Sequence, residues 1–384
     1  MTHIAKHIAE TNSSYIREIL SVVSKKEIIS LAGGLPCPDT FPMSIIDEIL
    51  PRLTHDRSLF QYAATNGLQP LLEHVRERYQ ILDTHQVLIT SGSQQGIDLC
   101  ARAFIMPGEK VVVEAPSYLG ALQVFSLTQA DVVTVTQEGD GPNLAELESH
   151  FAHRDIVLFY AVPDFHNPTG CCWSLKKRVE VARLCKQYDV LLIEDAPYRE
   201  IRFSGIELPT VSSLCPDHSI ILRSFSKLIS PALRVAILTV PKRWYSQLTK
   251  LKQAMDLHTS PLTQKLTLDI LQHADLDQHI DNVKRCYQER YQVLSQELSL
   301  LSQEDYQFSL VEGGMFVWLT VPICDTFALA QSALDKGVAV VPSSEFFINE
   351  ESRVSALRLN FSHNKPDQIR KGIDRLKPIL EDFR

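Results

Sequence analysis

The central part of the chain alternates short runs of β-branched and other apolar residues with segments that have the periodicity of an amphipathic helix. The apolar runs cover residues 86–90, 110–114, 155–160, 190–194, 219–222 and 235–239, and the helical segments include residues 94–105, 118–127 and 175–188. This alternation predicts an α/β fold with a mostly parallel sheet flanked by helices on both faces. Ligands of such sheets bind beyond the carboxyl ends of the strands, so residues just after these runs are candidates for a site.

A different pattern follows the sheet region. A helical stretch runs from Pro241 to about Leu301, with a break near residues 259–261. The segment after it mixes short strands at residues 308–311, 315–319, 338–341 and 357–360 with a helix at 326–336 and a closing helix from Pro366. A chain of 384 residues exceeds the size at which one core keeps growing. We therefore expect a large domain at residues 45–285 and a smaller α+β domain formed by residues 1–44 and 286–384.

Charge and cysteine spacing exclude several classes of protein. The formal net charge of -8 argues against a nucleic-acid partner. The eight cysteines form no C-x-x-C pair, which is typical of reduced thiols in the cytoplasm. Residues 1–7 lack the apolar region of a signal peptide, and the longest apolar stretch, residues 156–162, is too short to span a bilayer. We therefore expect a soluble cytoplasmic protein that binds neither nucleic acid nor a membrane.

The run Ser224-Phe225-Ser226-Lys227, followed by Arg234, combines an amine, two hydroxyls and a fixed cation within eleven positions. A lysine amine can condense with a carbonyl, while small hydroxyls and a guanidinium donate hydrogen bonds to a phosphate dianion. Pyridoxal 5'-phosphate presents both an aldehyde and a phosphate. Taken alone, S-x-S-K is more often a solvated lysine after a strand, so this interpretation depends on the other motifs.

A second motif, residues 91–96, connects a predicted strand to a predicted helix. Free amides at a helix start can bind an anion, although such a motif taken alone is more often an ordinary helix N-cap formed by Ser91 or Ser93. Neither G-x-G-x-x-G nor G-x-x-x-x-G-K-[ST] occurs in the chain, which argues against dinucleotide and nucleoside-triphosphate binding.

Four further polar or aromatic residues follow strand ends. The Asn-Pro turn fixes the amide of Asn167, which could donate to a phenolate oxygen such as O3' of pyridoxal or only shape the turn. Asp195 could keep a pyridine nitrogen protonated or cap the following turn, and Tyr198, three residues on, could donate to O3'. Tyr118 could stack on a flat heterocycle or simply pack in the core.

Taken in this order, the motifs resemble the fold-type-I pyridoxal-phosphate-dependent aminotransferases of class I/II. The resemblance is specifically to the branch that contains 2-aminoadipate aminotransferases and the aminotransferase half of the MocR-type regulators. It covers nearly the whole chain and includes residues 14–20, 31–36, 61–63, 256–259, 313–318 and 357–360. It implies the type I transferase fold, with pyridoxal 5'-phosphate as cofactor and no metal site.

The resemblance also implies a role for each residue. Lys227 forms the internal aldimine, Asp195 pairs with the ring nitrogen, and Asn167 and Tyr198 hold O3'. The phosphate ligands are the Ser93 and Gln94 amides, Ser224, Ser226 and Arg234; Tyr118 stacks on the ring; and Tyr62 reaches the phosphate of the neighbouring subunit in a homodimer with shared sites. Substrate binding is implied for Arg358, which grips the α-carboxylate with help from the Gly34 amide, and for Asn167.

Two positions depart from the pattern of relatives. Ala232 replaces a common glycine in the Pro231–Arg234 loop, which requires that position 232 avoid positive φ. Ala196 follows Asp195 where relatives commonly show a second acid. Because the three-residue spacing from Asp195 to Tyr198 is kept, the assignment of the ring-nitrogen partner is unchanged.

The implied activity is ping-pong transamination through Lys227, from an α-amino acid to a 2-oxo acid, with 2-oxoglutarate as the expected acceptor. Candidate donors are 2-aminoadipate, aromatic and branched-chain amino acids. Arg17 could recognise a distal carboxylate or be a solvated helix-face arginine. For proton transfer the pKa of Lys227 must be lowered, and burial beside Arg234 and the cofactor ring is the expected cause.

Two alternative functions use the same residues. A pyridoxal-phosphate lyase or decarboxylase would also need Lys227 and Asp195. A non-enzymatic sensor of the MocR type would need a DNA-binding domain ahead of this one, and the 32 residues before Gly33 leave no room for it.

Overall fold

A computed structural model of the chain describes residues 4–9, 19, 28–302, 304–348 and 354–384. The described strands are β1 (Ile29–Ser30), β2 (His85–Thr90), β3 (Lys110–Ala115), β4 (Asp131–Glu138), β5 (Gly141–Pro142), β6 (Ile156–Ala161), β7 (Leu191–Asp195), β8 (Ser219–Ser224), β9 (Ala236–Pro241), β10 (Gln307–Phe308), β11 (Phe316–Thr320), β12 (Val338–Ala339), β13 (Val341–Pro342) and β14 (Ala356–Asn360). The described α-helices are α1 (Lys6–Ala9), α2 (Met43–Leu53), α3 (Gln69–Arg78), α4 (Ser93–Phe104), α5 (Leu119–Leu127), α6 (Leu144–Ala152), α7 (Leu175–Tyr188), α8 (Val211–Leu214), α9 (Lys242–Asp256), α10 (Pro261–Leu271), α11 (Leu276–Ser299), α12 (Thr326–Asp335) and α13 (Pro366–Asp382).

The largest sheet has eight strands in the order β2-β9-β8-β7-β6-β3-β4-β5. Strands β3, β4, β6, β7 and β8 are mutually parallel, whereas β9 is antiparallel to both of its neighbours. The connection 225–235 between β8 and β9 is too short for a helical crossover, so the chain must return antiparallel. The prediction of a mostly parallel sheet flanked by helices is confirmed.

Helices cover both faces of this sheet, and strand β6 shows why. Leu158 and Tyr160 belong to one apolar core, while Phe159 between them belongs to the core on the opposite face. Successive side chains of a strand point to opposite faces, so a strand with two covered faces is apolar throughout. The apolar runs at 110–114, 155–160, 190–194, 219–222 and 235–239 are therefore interior strands of the sheet, whereas the run at 86–90 forms the edge strand β2.

A second sheet of four strands has the order β10-β11-β14-β13 and is antiparallel throughout. Arg358 lies in its strand β14, opposite Trp318 of β11 and Val341 of β13. The short strand β1 pairs with β12 in a separate two-stranded sheet. The backbone hydrogen bond from the Asn360 N–H to the Leu31 carbonyl, at 2.7 Å, joins β14 to the segment after β1.

Several features differ from the sequence-based prediction, among them β1, α2 and α3, which were not predicted. Strands β4 and β5 and helix α6 were not predicted, because only Val135 of β4 is fully buried and the strand lacks an apolar run. The helical stretch has the predicted break before α10 and a second break, between α10 and α11, that was not predicted. The run at 338–341, predicted as one strand, forms β12 and β13 in two different sheets.

None of the described helices is long and apolar enough to cross a membrane.

Candidate active site

A cavity of about 260 Å³ lies where the carboxyl ends of β7 and β8 meet the start of α4 and strand β14. Twelve of the predicted site residues line it: Gly34, Ser93, Gln94, Tyr118, Asn167, Asp195, Tyr198, Ser224, Ser226, Lys227, Arg234 and Arg358. Five lining residues were not predicted: Tyr160, Val162, Pro197, Pro231 and Phe316. Tyr62 does not line the cavity, and Arg17 lies outside the described residues.

Lys227 follows β8 by three residues and donates from Nζ to the Gly34 carbonyl at 2.8 Å. Burial lowers the pKa of Lys227 to about 8, and the positive charges of Arg358 and Arg234 add to this effect. A lowered pKa was expected from Arg234, but Arg358 has the larger influence of the two. Near neutral pH the amine can therefore exist partly as the free base, which is the nucleophilic and proton-accepting form.

Asp195, the last residue of β7, is buried and accepts a hydrogen bond on Oδ2 from the Tyr160 hydroxyl at 2.9 Å. Its Oδ1 is also buried but has no hydrogen-bond partner among the described residues. Burial raises the pKa of Asp195 to about 7, against the opposing effect of the Tyr160 hydroxyl. A cationic group at Oδ1 would favour the ionised carboxylate.

Helix α4 begins without a side-chain cap. Its N-cap is Gly92, with φ 95°, so neither Ser91 nor Ser93 serves as the N-cap. The amides of Ser93 and Gln94, in the first turn, have no acceptor within the helix and are available to an anion.

A close approach explains the glycine at position 92. A Cβ there would lie 2.2 Å from Nη2 of Arg234, and that nitrogen donates to the Ser91 carbonyl at 3.1 Å. The arginine therefore lies directly over the start of α4, and its charge adds to the anion-binding potential of the free amides.

The two serines of the lysine motif line the cavity together with Arg234. The Ser226 amide donates to Ser224 Oγ at 3.2 Å, and Ser226 Oγ is buried with no hydrogen-bond partner among the described residues. Ala232 lies in a short 3-10 helix, Pro231–Leu233, and Arg234 adopts the left-handed conformation at φ 52°. The loop thus meets the requirement that position 232 avoid positive φ.

Arg358 is 1% exposed and links the second sheet to the turn that follows β6. Its Nη1 donates to Asn167 Oδ1 at 2.8 Å, and its Nη2 donates to the Ala32 carbonyl. The guanidinium carbon lies 4.4 Å from the centre of the Phe316 ring and 5.2 Å from that of Phe346. These contacts fix the planar group against one wall of the cavity.

No carboxylate of the described residues forms an ion pair with Arg358, and its buried Nε has no acceptor there. Burial lowers the pKa of Arg358 to about 10. Burying a guanidinium without a counter-ion is costly, so the arrangement favours binding of an anion with two oxygens, such as a carboxylate.

Tyr198 and Tyr118 form the aromatic part of the cavity wall. Tyr198 packs edge-on against Phe316, with ring centres 6.0 Å apart, and burial raises its pKa well above the ordinary value. The Tyr118 hydroxyl donates to Gln94 Oε1 at 3.3 Å, and Gln94 in turn donates to the Gly120 carbonyl at 2.8 Å. A planar ligand can lie against Tyr118 beside the start of α4.

Tyr62 is 78% exposed and packs edge-on against His258, with ring centres 5.8 Å apart. The expected contact of Tyr62 is with a neighbouring subunit, and its exposure leaves the side chain accessible to one.

Tyr160 is the most informative residue that sequence reasoning missed. It ends the predicted strand at 155–160, and residues at strand ends were the expected site residues. Its contact with Asp195 depends on β6 lying beside β7, an adjacency that periodicity along the chain does not reveal.

The donor set fits pyridoxal 5'-phosphate. Lys227 supplies an amine for the aldehyde, and the free Oδ1 of Asp195 is a partner for a protonated ring nitrogen. The free amides at the start of α4, Ser226 Oγ and Arg234 supply donors for a phosphate. All of these groups line the same cavity.

Comparison with known proteins agrees with this chemistry. The family described as aminotransferase class I and II matches residues 26–376. Aromatic-amino-acid aminotransferase 1 of Thermococcus litoralis is 35% identical, with 96% of this chain and 92% of the relative covered. The structure of Pyrococcus horikoshii kynurenine aminotransferase in complex with PMP has a TM-score of 0.94 at 33% identity and covers 99% of this chain and 97% of its own.

A second solved structure shows a similar likeness. It is alpha-aminoadipate aminotransferase from Thermus thermophilus, complexed with N-(5'-phosphopyridoxyl)-L-leucine, with a TM-score of 0.91, 33% identity, and coverage of 99% of this chain and 97% of that one. The chain therefore belongs to the class I and II aminotransferase family and is a pyridoxal-phosphate-dependent aminotransferase of fold type I.

Proposed function

We propose that the enzyme transfers the amino group of 2-aminoadipate, an aromatic amino acid or a branched-chain amino acid to a 2-oxo acid, with 2-oxoglutarate as the acceptor. The observation on which this depends is Arg358, a buried guanidinium with no carboxylate partner among the described residues. It supports binding of the α-carboxylate that amino acids and 2-oxo acids share. The Gly34 amide and Asn167 assist it.

Each cofactor contact has a named residue in this proposal. Lys227 binds the aldehyde carbon, Asp195 faces the ring nitrogen, and Asn167 and Tyr198 hold O3'. The Ser93 and Gln94 amides, Ser224, Ser226 and Arg234 bind the phosphate, and Tyr118 stacks on the ring. When bound, the cofactor supplies an electron-withdrawing ring that stabilises negative charge at the substrate Cα.

Lys227 then acts as the proton carrier. The lowered pKa of Lys227 would leave its free amine able to accept the proton from the substrate Cα. Arg358 fixes the carboxylate, so Cα is held in one orientation relative to Nζ. Tyr160 orients the Asp195 carboxylate by donating a 2.9 Å hydrogen bond to its Oδ2.

The range of donors is supported by the cavity wall and by the relatives. Tyr118, Tyr160, Val162 and Phe316 give the cavity an aromatic and apolar lining. The relatives are named for aromatic amino acids, kynurenine and alpha-aminoadipate, and one was solved with a leucine adduct. Recognition of a distal carboxylate by Arg17 remains a part of the proposal that the described residues do not test.

We also propose a homodimer in which Tyr62 of each subunit reaches the phosphate of the other. The 78% exposure of Tyr62, beside exposed Phe60 at 66%, supports an interface on this surface. A mixture of the Lys227→Ala and Tyr62→Ala proteins tests it, because only a mixed dimer has one site with both side chains. Recovered turnover after mixing supports shared sites, and no recovery from two folded, exchanging dimers contradicts them.

Two further proposals concern the whole chain. The division into residues 45–285 and residues 1–44 with 286–384 is supported by the pairing of β1 with β12 and by the separate four-stranded sheet at 307–360. The boundary at 285 then falls within α11, Leu276–Ser299. A cytoplasmic location is supported by the eight cysteines, all of which are free thiols.

The deciding experiment is a half-reaction screen. Single amino acids are added to the cofactor-loaded protein, and loss of the visible absorbance band is followed, with Lys227→Ala as a control that lacks the band. We expect loss of the band with 2-aminoadipate, aromatic amino acids and leucine, and its return when 2-oxoglutarate is added. A band that none of these donors changes, or that no 2-oxo acid restores, would contradict the proposal and favour a lyase or decarboxylase.

A further inference from the structure

A second group of reactive side chains lies outside the active-site cavity, at the junction of α11 with the segment that follows Gly34. Cys37 is 1% exposed, and Arg290 of α11, which is 4% exposed, donates from Nη2 to its Sγ at 2.9 Å. The Tyr287 hydroxyl, on the same face of α11, accepts from the Cys37 amide at 3.4 Å. Cys37 is thus held against the helix through both its backbone and its side chain.

Arg290 has an unusual set of partners. Its Nη1 donates to the Ser362 and His363 carbonyls, the latter at 3.2 Å, and no carboxylate of the described residues forms an ion pair with it. A buried guanidinium needs a compensating negative charge. Of the three hydrogen-bond acceptors of Arg290 among the described residues, only the Cys37 thiol can become an anion.

A second cysteine lies beside this pair. Cys286 precedes Arg290 by four residues, so both side chains project from the same face of α11. The pKa of Cys37 is lowered well below the usual range, most strongly by the Cys286 thiol and also by the Arg290 guanidinium. Burial opposes this effect only in part. The contact with Cys37 raises the pKa of Cys286. One thiol of the pair is therefore disposed to ionise and the other to stay protonated.

Cys172 also accepts hydrogen bonds from arginines, Arg202 at 3.1 Å and Arg178 at 3.6 Å, but both guanidiniums form ion pairs with Asp164. Burial raises the pKa of Cys100, Cys171, Cys172 and Cys324, and contact with Cys215, together with burial, raises the pKa of Cys185. Because the thiolate is the nucleophile in cysteine oxidation, reactivity within the chain should be selective for the pair at Cys37.

We propose that Cys37, whose sulfur accepts a hydrogen bond from Arg290, and Cys286 form a dithiol site that hydrogen peroxide oxidises to an intramolecular disulfide. The thiolate sulfur attacks one peroxide oxygen, the O–O bond breaks, hydroxide leaves, and sulfur becomes the sulfenic acid. The Cys286 sulfur then attacks the Cys37 sulfur, and its proton leaves with the hydroxyl group as water. Peroxide is thereby reduced by two electrons and the two thiols are oxidised to one disulfide.

Access is compatible with an oxidant as small as peroxide. Cys286 is partly exposed, and the 3-10 turn that follows Cys37, Pro38–Thr40, contains no buried residue. The pair therefore lies directly beneath the protein surface.

The test uses the cofactor-loaded protein with less than one equivalent of hydrogen peroxide at neutral pH, followed by alkylation of free thiols and peptide mass mapping. We expect a peptide pair joined through Cys37 and Cys286, lighter by two hydrogen atoms, while Cys171 and Cys172 stay alkylated as internal references. In Cys286→Ser the reaction should stop at a sulfenic acid on Cys37, heavier by one oxygen atom and trapped by a dione reagent.

A matched pair of variants tests the charge of Arg290. Arg290→Met should slow oxidation of Cys37 by about tenfold or more, because the thiolate fraction falls, whereas Arg290→Lys should retain most of the rate. An unchanged visible cofactor band confirms that each variant is folded. If Arg290→Met does not fold, the ionisation of Cys37 is measured independently, as the thiolate ultraviolet absorbance that is lost in Cys37→Ser. Oxidation of Cys171, Cys172 or Cys324 before Cys37, or no thiolate absorbance lost in Cys37→Ser at neutral pH, would overturn the proposal.

Discussion

Replacement of Arg358 by methionine should lower kcat/KM for an α-amino acid while leaving the reaction of the corresponding amine, which lacks the α-carboxylate, unchanged. Methionine keeps an unbranched apolar stem that can still pack against Phe316 and Phe346, which lie within 4.4 and 5.2 Å of the guanidinium. The charge and the donors to Asn167 Oδ1 are removed. The change therefore tests carboxylate recognition separately from packing.

The magnitude follows from burial. Arg358 is 1% exposed and has no competing carboxylate among the described residues, so a substrate carboxylate forms a desolvated charge pair with it. Truncating one partner of such a pair costs about 2–5 kcal/mol. At about 1.4 kcal/mol for each factor of ten, kcat/KM should fall by about 30-fold to about 4,000-fold. Arg358→Lys keeps the charge but not the planar fork, so its loss should be intermediate.

The assay compares four rates in a cycle: wild type and Arg358→Met, each with the amino acid and with the amine. Arg183→Met, on the exposed face of α7, is a control for a change of total charge. If Arg358 binds the carboxylate, the effect of Arg358→Met depends strongly on the substrate: the rate falls with the amino acid, whereas the amine reacts with both enzymes at the same low rate. Equal fold-losses for amino acid and amine would refute the assignment and leave Arg358 with a purely structural role.

Three other predictions concern the cofactor site. In the cofactor-free protein the pKa of Lys227 lies near 8, against 10.5 for an ordinary lysine, so the unfolded chain binds more protons between these values. The free energy of unfolding should therefore rise with pH across this window, by up to about 3 kcal/mol relative to Lys227→Met. A difference between the two proteins that does not change with pH in urea melts would contradict this. Gly92→Ala should weaken cofactor binding about tenfold or more, because its Cβ displaces Arg234. The control Gly108→Ala, with φ +85° and open space around it, should lose only about 1–3 kcal/mol of stability. Equal dissociation constants of the two variants for the cofactor would contradict the steric argument. Asp195→Asn should lower kcat by about 100-fold or more, since the amide cannot stabilise a protonated ring nitrogen, and near-normal turnover would exclude Asp195 from that role.

The sequence was most informative where a strand end coincides with a polar residue. Asp195 and Ser224 end β7 and β8, and Asn167 follows β6, so the rule for ligand sites in parallel sheets brings them together without knowledge of the strand order. The free amides at the start of α4 could also be located, because a strand-to-helix junction exposes amides wherever it occurs, although the N-cap is Gly92 and not Ser91 or Ser93.

Contacts between distant parts of the chain could not be predicted in this way. The bond from Arg358 to Asn167 joins residues 191 positions apart, and the bond from Lys227 to Gly34 joins residues 193 apart. Periodicity describes a segment relative to its own axis and contains no information about which other segment covers it. The same limit explains why the run at 338–341 was predicted as one strand, although β12 and β13 have partners in different sheets.

The electrostatics of the cavity connect these distant contacts to the chemistry. Asp195 has a raised pKa and no cation beside it among the described residues, while Arg358 has a lowered pKa and no anion beside it. Lys227 lies in the same cavity, and its pKa is lowered by burial together with the charges of Arg358 and Arg234. A ligand set that is cationic at a ring nitrogen and anionic at a phosphate and a carboxylate would relieve all of these unfavourable charges at once. Because the substrate carboxylate would screen Arg358 from Lys227, substrate binding should itself raise the proton affinity of Nζ at the stage when that atom must accept the proton from Cα.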